Sequence, residues 1–166
     1  MNVIAHNRIV YNCDSLKNVN ASTPSLPVLD EQICFALYSA SRAITARYRD
    51  LLDPLGLTYP QYLTLLVLWE SGPITVTGLG ARLSLDSGTL SPLLRRMEAA
   101  GLIIRNRQST DERRVEVSLT DRGSALRHYA TNVNDVVCAA TGLELDDLSS
   151  LREQITLLAE HVRASH

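Results

Sequence analysis

No stretch of this 166-residue chain approaches the ~20 consecutive apolar residues of a membrane-spanning helix. Residues 1–28 lack the continuous apolar core of a secretory signal, so the expected location is the cytoplasm, where thiols stay reduced. Cysteine is scarce. Cys13, Cys34 and Cys138 are scattered, with no CxxC, and His6, His128, His161 and His166 do not cluster with them. That excludes a disulfide framework and a zinc site, and no metal is expected. There is no nucleotide-binding loop and no Ser-His-Asp cluster, so neither a cofactor nor an enzymatic activity is expected. Lysine is almost missing: Lys17 is the only one among 16 basic residues. Arginine suits planar, bidentate contacts, although a GC-rich genome produces the same bias. The net charge of −2 excludes a chain that is basic throughout, so any nucleic-acid role must rest on local charge.

What is present is ordinary for one soluble domain, with 45% apolar and 20% charged residues. Residues 1–28 read as a flexible tail, punctuated by Asn2, Asn7, Asn12, Asn18 and Asn20 and closed by Ser22-Thr23-Pro24-Ser25-Leu26-Pro27. Cys13 falls in it and is read as incidental. From about Asp30 to Leu52, Ile33, Leu37, Ala40, Ile44, Tyr48 and Leu51 recur at steps of three and four, the pattern of a helix with one apolar stripe. Pro54 and Gly56 end it, and Asp30 and Glu31 stand at its start. Thr58 is the expected cap of a second helix whose first residue is Tyr59 or Pro60. Tyr62 to Trp69 is apolar nearly all round, so this helix is expected to be buried.

Residues 75–83 predict a short helix with Val76, Leu79 and Leu83 inward, and Ser84-Leu85-Asp86 a turn. Residues 87–100 predict a helix capped by Asp86 or Ser87, with Leu90, Leu93, Leu94 and Met97 inward and Gly101 as a left-handed stop. Pro92 inside it costs the hydrogen bond to Gly88, so a slight bend or a tightened first turn is expected. The period then changes to two. Residues 102–107 and 114–119 predict an antiparallel hairpin with its turn at 108–112. One helix is expected over roughly 121–140. Another is expected over 145–163, where Leu148, Leu151, Ile155, Leu158 and Val162 form a seam suited to a second copy.

Two short helices across a tight turn, followed by a hairpin, form a winged helix-turn-helix. The fold class is therefore mainly α with a small β wing. The outward residues Ser87, Thr89 and Ser91 are small enough to approach base edges, and Arg95 and Arg96 reach bases or phosphates. Between Arg95 and Arg114 six arginines face three acids, whereas residues 142–160 hold one arginine against five acids. Segregated charge of this kind suits one face turned to phosphate. A winged helix can also be a protein-binding fold, which would show no salt-dependent affinity for DNA.

The run Asp111-Glu112-Arg113-Arg114 before Val115-Glu116-Val117-Ser118-Leu119-Thr120 resembles the wing signature of the MarR (multiple antibiotic resistance regulator) family. The resemblance implies that Asp111 pairs with Arg113, that Arg113 reaches the minor groove, and that Arg114 contributes beside it. Residues 85–98, with Gly88 and Pro92 in place, resemble the recognition helix of one branch, the organic hydroperoxide regulators. The resemblance covers residues 29 to about 140 and the last helix loosely. It implies a dimer in which residues 29–56 and 121–163 join two copies and residues 57–119 bind DNA, all within one domain at 29–166.

Only a thiolate reacts fast with a peroxide, so a sensing cysteine needs anion-stabilising donors. Cys34 stands at the limit of the helix start, with Asp30 and Glu31 opposing a negative charge. Six tyrosines against one phenylalanine is an unusual ratio, and four of them fall between 38 and 62. Phe35, Leu52 and Leu55 are candidates to wall a pocket for an organic peroxide. A lone helical cysteine is most often a small buried hydrophobe. Gln32, Cys34, Phe35, Leu37, Tyr38, Ser41 and Arg42, however, match the branch's pattern around its peroxidatic cysteine residue by residue. The resemblance implies that Tyr38, Tyr48 and Tyr59 stabilise the thiolate, Tyr48 and Tyr59 by holding the reduced sulfur with their hydroxyls. It also implies that Cys138 of the partner subunit is a resolving cysteine; a small thiol is the alternative.

The expected function is a homodimeric repressor that holds double-stranded operator DNA when reduced and releases it when an organic hydroperoxide oxidises Cys34. Two alternatives are a MarR-type regulator answering a non-covalent phenolic ligand and a thiol peroxidase.

Overall fold

The structure is a computed structural model that describes the backbone of residues 26–108 and 111–165, and their side chains except at 107, 108 and 111–114. Cys13 and nearly all of the expected tail lie outside the described residues, as do the side chains of Asp111, Arg113 and Arg114. The chain divides into two compact units, Met1–Leu37 and Tyr38–His166.

In the first unit a 3-10 turn, Leu29–Glu31, precedes α1, which spans Ile33–Leu52 and continues into the second unit. Gln32 separates them in an extended conformation (φ −84°, ψ 113°), so the helix starts after it and not at Asp30. Gln32 Nε2 donates to Val28 O at 3.1 Å, which holds the turn. Asp30 and Glu31 therefore do not belong to the first turn of α1, and Cys34 is its second residue. Its place is thus closer to the helix start than the spacing suggested, among the N–H groups that have no acceptor one turn back.

In the second unit Gly56, at φ 66°, turns the chain after α1. α2, Tyr59–Ser71, begins at Thr58, whose N–H donates to Gln61 Oε1 at 2.8 Å. Its nearly continuous apolar sequence has the expected consequence: Tyr62, Leu65, Val67 and Leu68 are all buried. α3, Val76–Leu83, and α4, Ser87–Ala99, are joined by the anticipated turn. Leu85 N–H donates to Gly80 O at 2.9 Å. A Cβ on Gly80 would stand 3.0 Å from Leu85 O, so the turn closes this tightly only over a glycine. Asp86, not Ser87, caps α4. Leu90, Leu93, Leu94 and Met97 are buried, and Gly101 is left-handed at φ 66°. The first turn of α4 is not tightened around Pro92, because Leu90 N–H reaches Asp86 O, four residues back, at 2.9 Å. Pro92 removes one bond on the exposed side and the helix continues through it.

The sheet has three strands, not two. β1 (Ile74–Thr75), β2 (Ile103–Gln108) and β3 (Asp111–Leu119) lie in the order β1-β3-β2, all antiparallel. β1 pairs Ile74 with Val117 and Thr75 with Glu116, and two residues are too few to show a period in sequence. The hairpin strands run further than expected. Gln108 pairs with Asp111 after an irregularity at Arg107/Gln108, so pairing enters the segment read as a turn.

The expected helix at 121–140 is two: α5, Asp121–Ala125, and α6, Arg127–Ala140. At Leu126 the ladder tightens, with Tyr129 N–H bonding Leu126 O at 3.0 Å. Gly123 and Ser124 are weak helix formers just before the break. α7, Leu145–Ala164, agrees with the expected 145–163. No residue of α7 is buried, and its apolar seam lies open, with Leu145 75% and Val162 53% exposed.

A Cβ on Gly123 would fall 2.1 Å from Leu102 O. Gly123→Ala is therefore expected to lower the free energy of unfolding by about 2 kcal/mol, measured by urea denaturation. An unchanged midpoint would mean that Leu102 moves aside freely.

Candidate functional site

The winged helix gathers the residues expected to face DNA. Ser87, Gly88, Thr89, Pro92, Arg95 and Arg96 are solvent-exposed along α4, and Ser91 is half-buried. The apolar stripe of α4 faces the core, so its polar face has to point outward. Thr89 is less free than its sequence position suggests. Its N–H and its hydroxyl both donate to the Asp86 carboxylate, each at 2.9 Å. The backbone bond from Thr89, more than any other contact, holds the Asp86 carboxyl below the usual carboxylate range.

Ser91 also lines an open groove of about 580 Å³ between α3, α4 and the sheet, with Thr75, Thr77 and Arg105 among its walls. Sequence reasoning missed Thr75 and Thr77, although Thr-Val-Thr before an apolar helix is a capping signal. Thr75 Oγ1 accepts from Gly78 N–H at 3.1 Å. Arg105 had been counted with the phosphate-facing arginines, but its guanidinium is bound to Glu98, Nε to Oε2 at 2.9 Å. That contact holds the Glu98 carboxyl below its ordinary range, chiefly through the hydrogen bond from Arg105. Pairing of two opposite charges leaves the local excess of positive charge as it was. The wing residues Asp111, Arg113 and Arg114 have side chains outside the described residues.

A second cluster lies where α1, α2 and α6 supply aromatic and sulfur groups within the second unit. The rings of Tyr48 and Tyr59 are 4.5 Å apart, and those of Tyr48 and Tyr62 5.8 Å. Tyr62 OH donates to Ala130 O at 3.2 Å, tying the cluster to α6. Burial above all, then the neighbouring Tyr59, Tyr62 and Cys138, push the Tyr48 phenol up to about 12. Cys138 of the same chain is the smallest of these influences. Its Sγ stands 3.9 Å from Asn134 Oδ1, and it borders a cavity of about 290 Å³ beside Leu143 and Leu145. Tyr62 had been noted only as a neighbour in sequence, and the structure makes it a full member of this cluster.

The other expected residues are placed differently. Tyr38 is exposed, and its hydroxyl accepts from Arg42 Nη1 at 2.8 Å, with the guanidinium 5.5 Å from the ring centre. Leu52 is not available to wall a pocket, because it is fully buried in the main core; Leu55 packs against that core, half-buried. Cys34, in the first unit, is an exposed free thiol, as is Phe35 an exposed ring beside it in sequence. Among the described residues no His, Cys, Asp and Glu group would hold a metal ion, and no helix is long and apolar enough to cross a membrane.

The arrangement is a winged helix-turn-helix with a helix-presented polar face, a class of DNA-binding fold. The MarR family model matches residues 57–115, from just before α2 into the returning strand of the wing. The chain is 46% identical to the organic hydroperoxide resistance transcriptional regulator of Bacillus subtilis (strain 168), over 80% of this chain and 90% of that protein. It is 41% identical to the regulator MgrA of Staphylococcus aureus, over 74% of this chain and 84% of that one. Among solved structures, reduced AbfR bound to DNA superposes with a TM-score of 0.69 at 34% identity, covering 81% of this chain and 94% of that one. AbfR, from Staphylococcus epidermidis, is also known overoxidised on DNA and with a disulfide formed. MosR of Mycobacterium tuberculosis in complex with DNA superposes with a TM-score of 0.73 at 29% identity, covering 82% of this chain and 99% of that one. The chain belongs to the MarR family of transcriptional regulators.

The tyrosine cluster has a measurable consequence. Tyr48, Tyr59 and Tyr62 are all raised, so each resists ionisation in the folded state. Their stabilising contribution is complete below pH ~10, the ordinary tyrosine value, and for Tyr48 is lost as pH rises toward about 12. Tyrosinate absorbance near pH 11 should thus fall short of that of the unfolded chain, and Tyr48→Phe should shrink the gap. Identical folded and unfolded titrations would refute the buried cluster.

Proposed function

We propose that this chain is a homodimeric repressor that holds operator DNA while Cys34 is reduced and releases it when an organic hydroperoxide oxidises Cys34. The observation that carries the reading is the packing of Tyr48, Tyr59 and Tyr62 together, with Tyr62 bonded to α6, the helix that carries Cys138. Two phenols and a second sulfur make a receptor for a sulfur anion and for its oxidised form. The receptor of one chain would take Cys34 of the partner subunit, with Tyr38 contributing from the chain that carries the cysteine.

The chemistry follows. The Cys34 thiolate attacks the distal peroxide oxygen of ROOH, the O–O bond breaks, and the leaving alkoxide takes a proton to give ROH. Cys34 is then a sulfenic acid. The thiol of Cys138 of the partner subunit condenses with it, forming an S–S bond and releasing water. Protonated phenols can donate hydrogen bonds to a sulfur anion, and the raised Tyr48 keeps its proton throughout the physiological range.

The division of labour within residues 29–166 follows from the same reading. Residues 57–119 bind DNA, and residues 29–56 and 121–163 join the two copies. The open apolar seam of α7, with Leu151, Ile155, Leu158 and Val162, supports it, because a solvent-facing stripe of that regularity is stabilised by covering it. The two recognition helices must then match half-sites about one turn (~34 Å) apart. A disulfide that draws the dimer helices together alters that spacing. The relatives support the reading by name: one is an organic hydroperoxide resistance regulator, and AbfR has reduced and disulfide forms.

Gel-shift assays of the reduced chain should show operator binding that cumene hydroperoxide abolishes and dithiothreitol restores. Cys34→Ser should stay bound throughout. A Cys34→Ser protein that releases DNA like the wild type would sink the sensor, and release by a phenol alone would favour a non-covalent inducer. Mass spectrometry of the oxidised dimer is expected to show a Cys34–Cys138 peptide linked between chains. A linked small thiol at Cys34, with Cys138 still reduced, would replace the second step.

A further inference from the structure

The end of the recognition helix is held by a set of directional bonds that the function above does not use. Three successive carbonyls follow α4, those of Ala100, Gly101 and Leu102, and each is taken by the segment that leaves the wing. Arg122 Nη1 donates to Ala100 O at 2.9 Å, Thr120 Oγ1 to Gly101 O at 2.7 Å, and Thr120 N–H to Leu102 O at 3.1 Å. Thr120 Oγ1 also accepts from Gly123 N–H at 3.0 Å, so one hydroxyl caps α5 and grips the α4 end together. Gly123 O in turn accepts from Trp69 Nε1 of α2 at 3.0 Å, which anchors the grip to the core. The fit has no slack, since a side chain at Gly123 would collide with Leu102 O.

We propose that Arg122 and Thr120 are positioning residues for sequence reading by α4, a proposal that rests on α4 being the element that meets DNA. Leu90, Leu93, Leu94 and Met97 hold the helix against the core, but apolar burial is non-directional, so its tilt depends on directional bonds at its C-terminal end, those above together with the Glu98–Arg105 tie. α4 has 13 residues, roughly 20 Å of helix. A tilt of about 10° at its C-terminal end shifts Ser87 and Thr89 by roughly 3 Å. Base contacts do not survive a displacement of that size, because hydrogen bonds fail within a fraction of it. Contacts to phosphate by long arginines tolerate it. The grip on the far end of α4 therefore governs specificity more than affinity for DNA in general.

The test uses the full reduced chain and two probes: a duplex selected from a random-sequence pool by the wild-type chain, and the same duplex with the selected site scrambled. Arg122→Ala is expected to weaken binding to the selected duplex about ten-fold, with the scrambled duplex and the salt dependence unchanged. Arg122→Lys should recover most of the loss, since its ammonium still donates to Ala100 O. Thr120→Val should reproduce the loss and Thr120→Ser should bind as the wild type. Arg122→Ala binding both duplexes as the wild type does would overturn the proposal. An equal loss on both duplexes, with the salt slope falling by about one, would make Arg122 a phosphate contact and overturn it too. A wild-type chain that selects no sequence would remove the reading of α4 and this proposal together, whereas selection followed by wild-type binding of the variants removes this proposal alone.

Discussion

Burial of one face of α4 against α2 is the constraint on which the rest of this structure depends. Leu90, Leu94 and Met97 are almost without exposure, and so are Leu65 and Leu68 from α2 and Leu79 from α3. Each such side chain contributes about 1.5–3 kcal/mol on burial. No rotation of α4 exposes another face without losing several of these contributions. Ser87, Thr89, Pro92, Arg95 and Arg96 are consequently turned to solvent by the same packing that hides the leucines. The polar face follows from the apolar one, and Asp86 then fixes where that face begins.

The sheet and the segment beyond it extend this order outward. β3 lies between β1 and β2, with Val117 fully buried beneath it. Glu98 ties the last turn of α4 to Arg105 at the root of the wing, and Thr120 with Arg122 closes on the carbonyls just past the helix. The recognition helix is thus gripped at its start by a cap and at its end by two separate elements. By contrast, α7 keeps nothing buried. The apolar seam of α7 is the surface that the proposed dimer would cover.

Much of this was legible in the residues. The helix at Ser87–Ala99, its buried quartet, the turn at Ser84 and the left-handed Gly101 all follow from local chemistry: period, cap and φ preference. The wing was visible as a change of period after Gly101. Features that depend on a partner distant in sequence were not. β1 exists because β3 offers it a ladder, not because two residues prefer a strand. Arg105 belongs by sequence to the arginine-rich stretch, but its guanidinium is paired with Glu98. Leu52 was a candidate to wall a pocket and is instead core. Tyr48, Tyr59 and Tyr62 were near in sequence, but only the packing of α1 on α2 shows them as one cluster.

The residues alone therefore determined where most of the helices lie, that a β wing follows α4, and that the chain belongs with winged-helix regulators of the MarR family. These are matters of period, capping and motif, and they act over three or four residues. Tertiary structure decided which charges are already paired and which tyrosines share a site. Those are matters of distance between groups on different elements, beyond the reach of a helical turn or a strand period. Only the burial of a common core brings them together, and no local pattern encodes it.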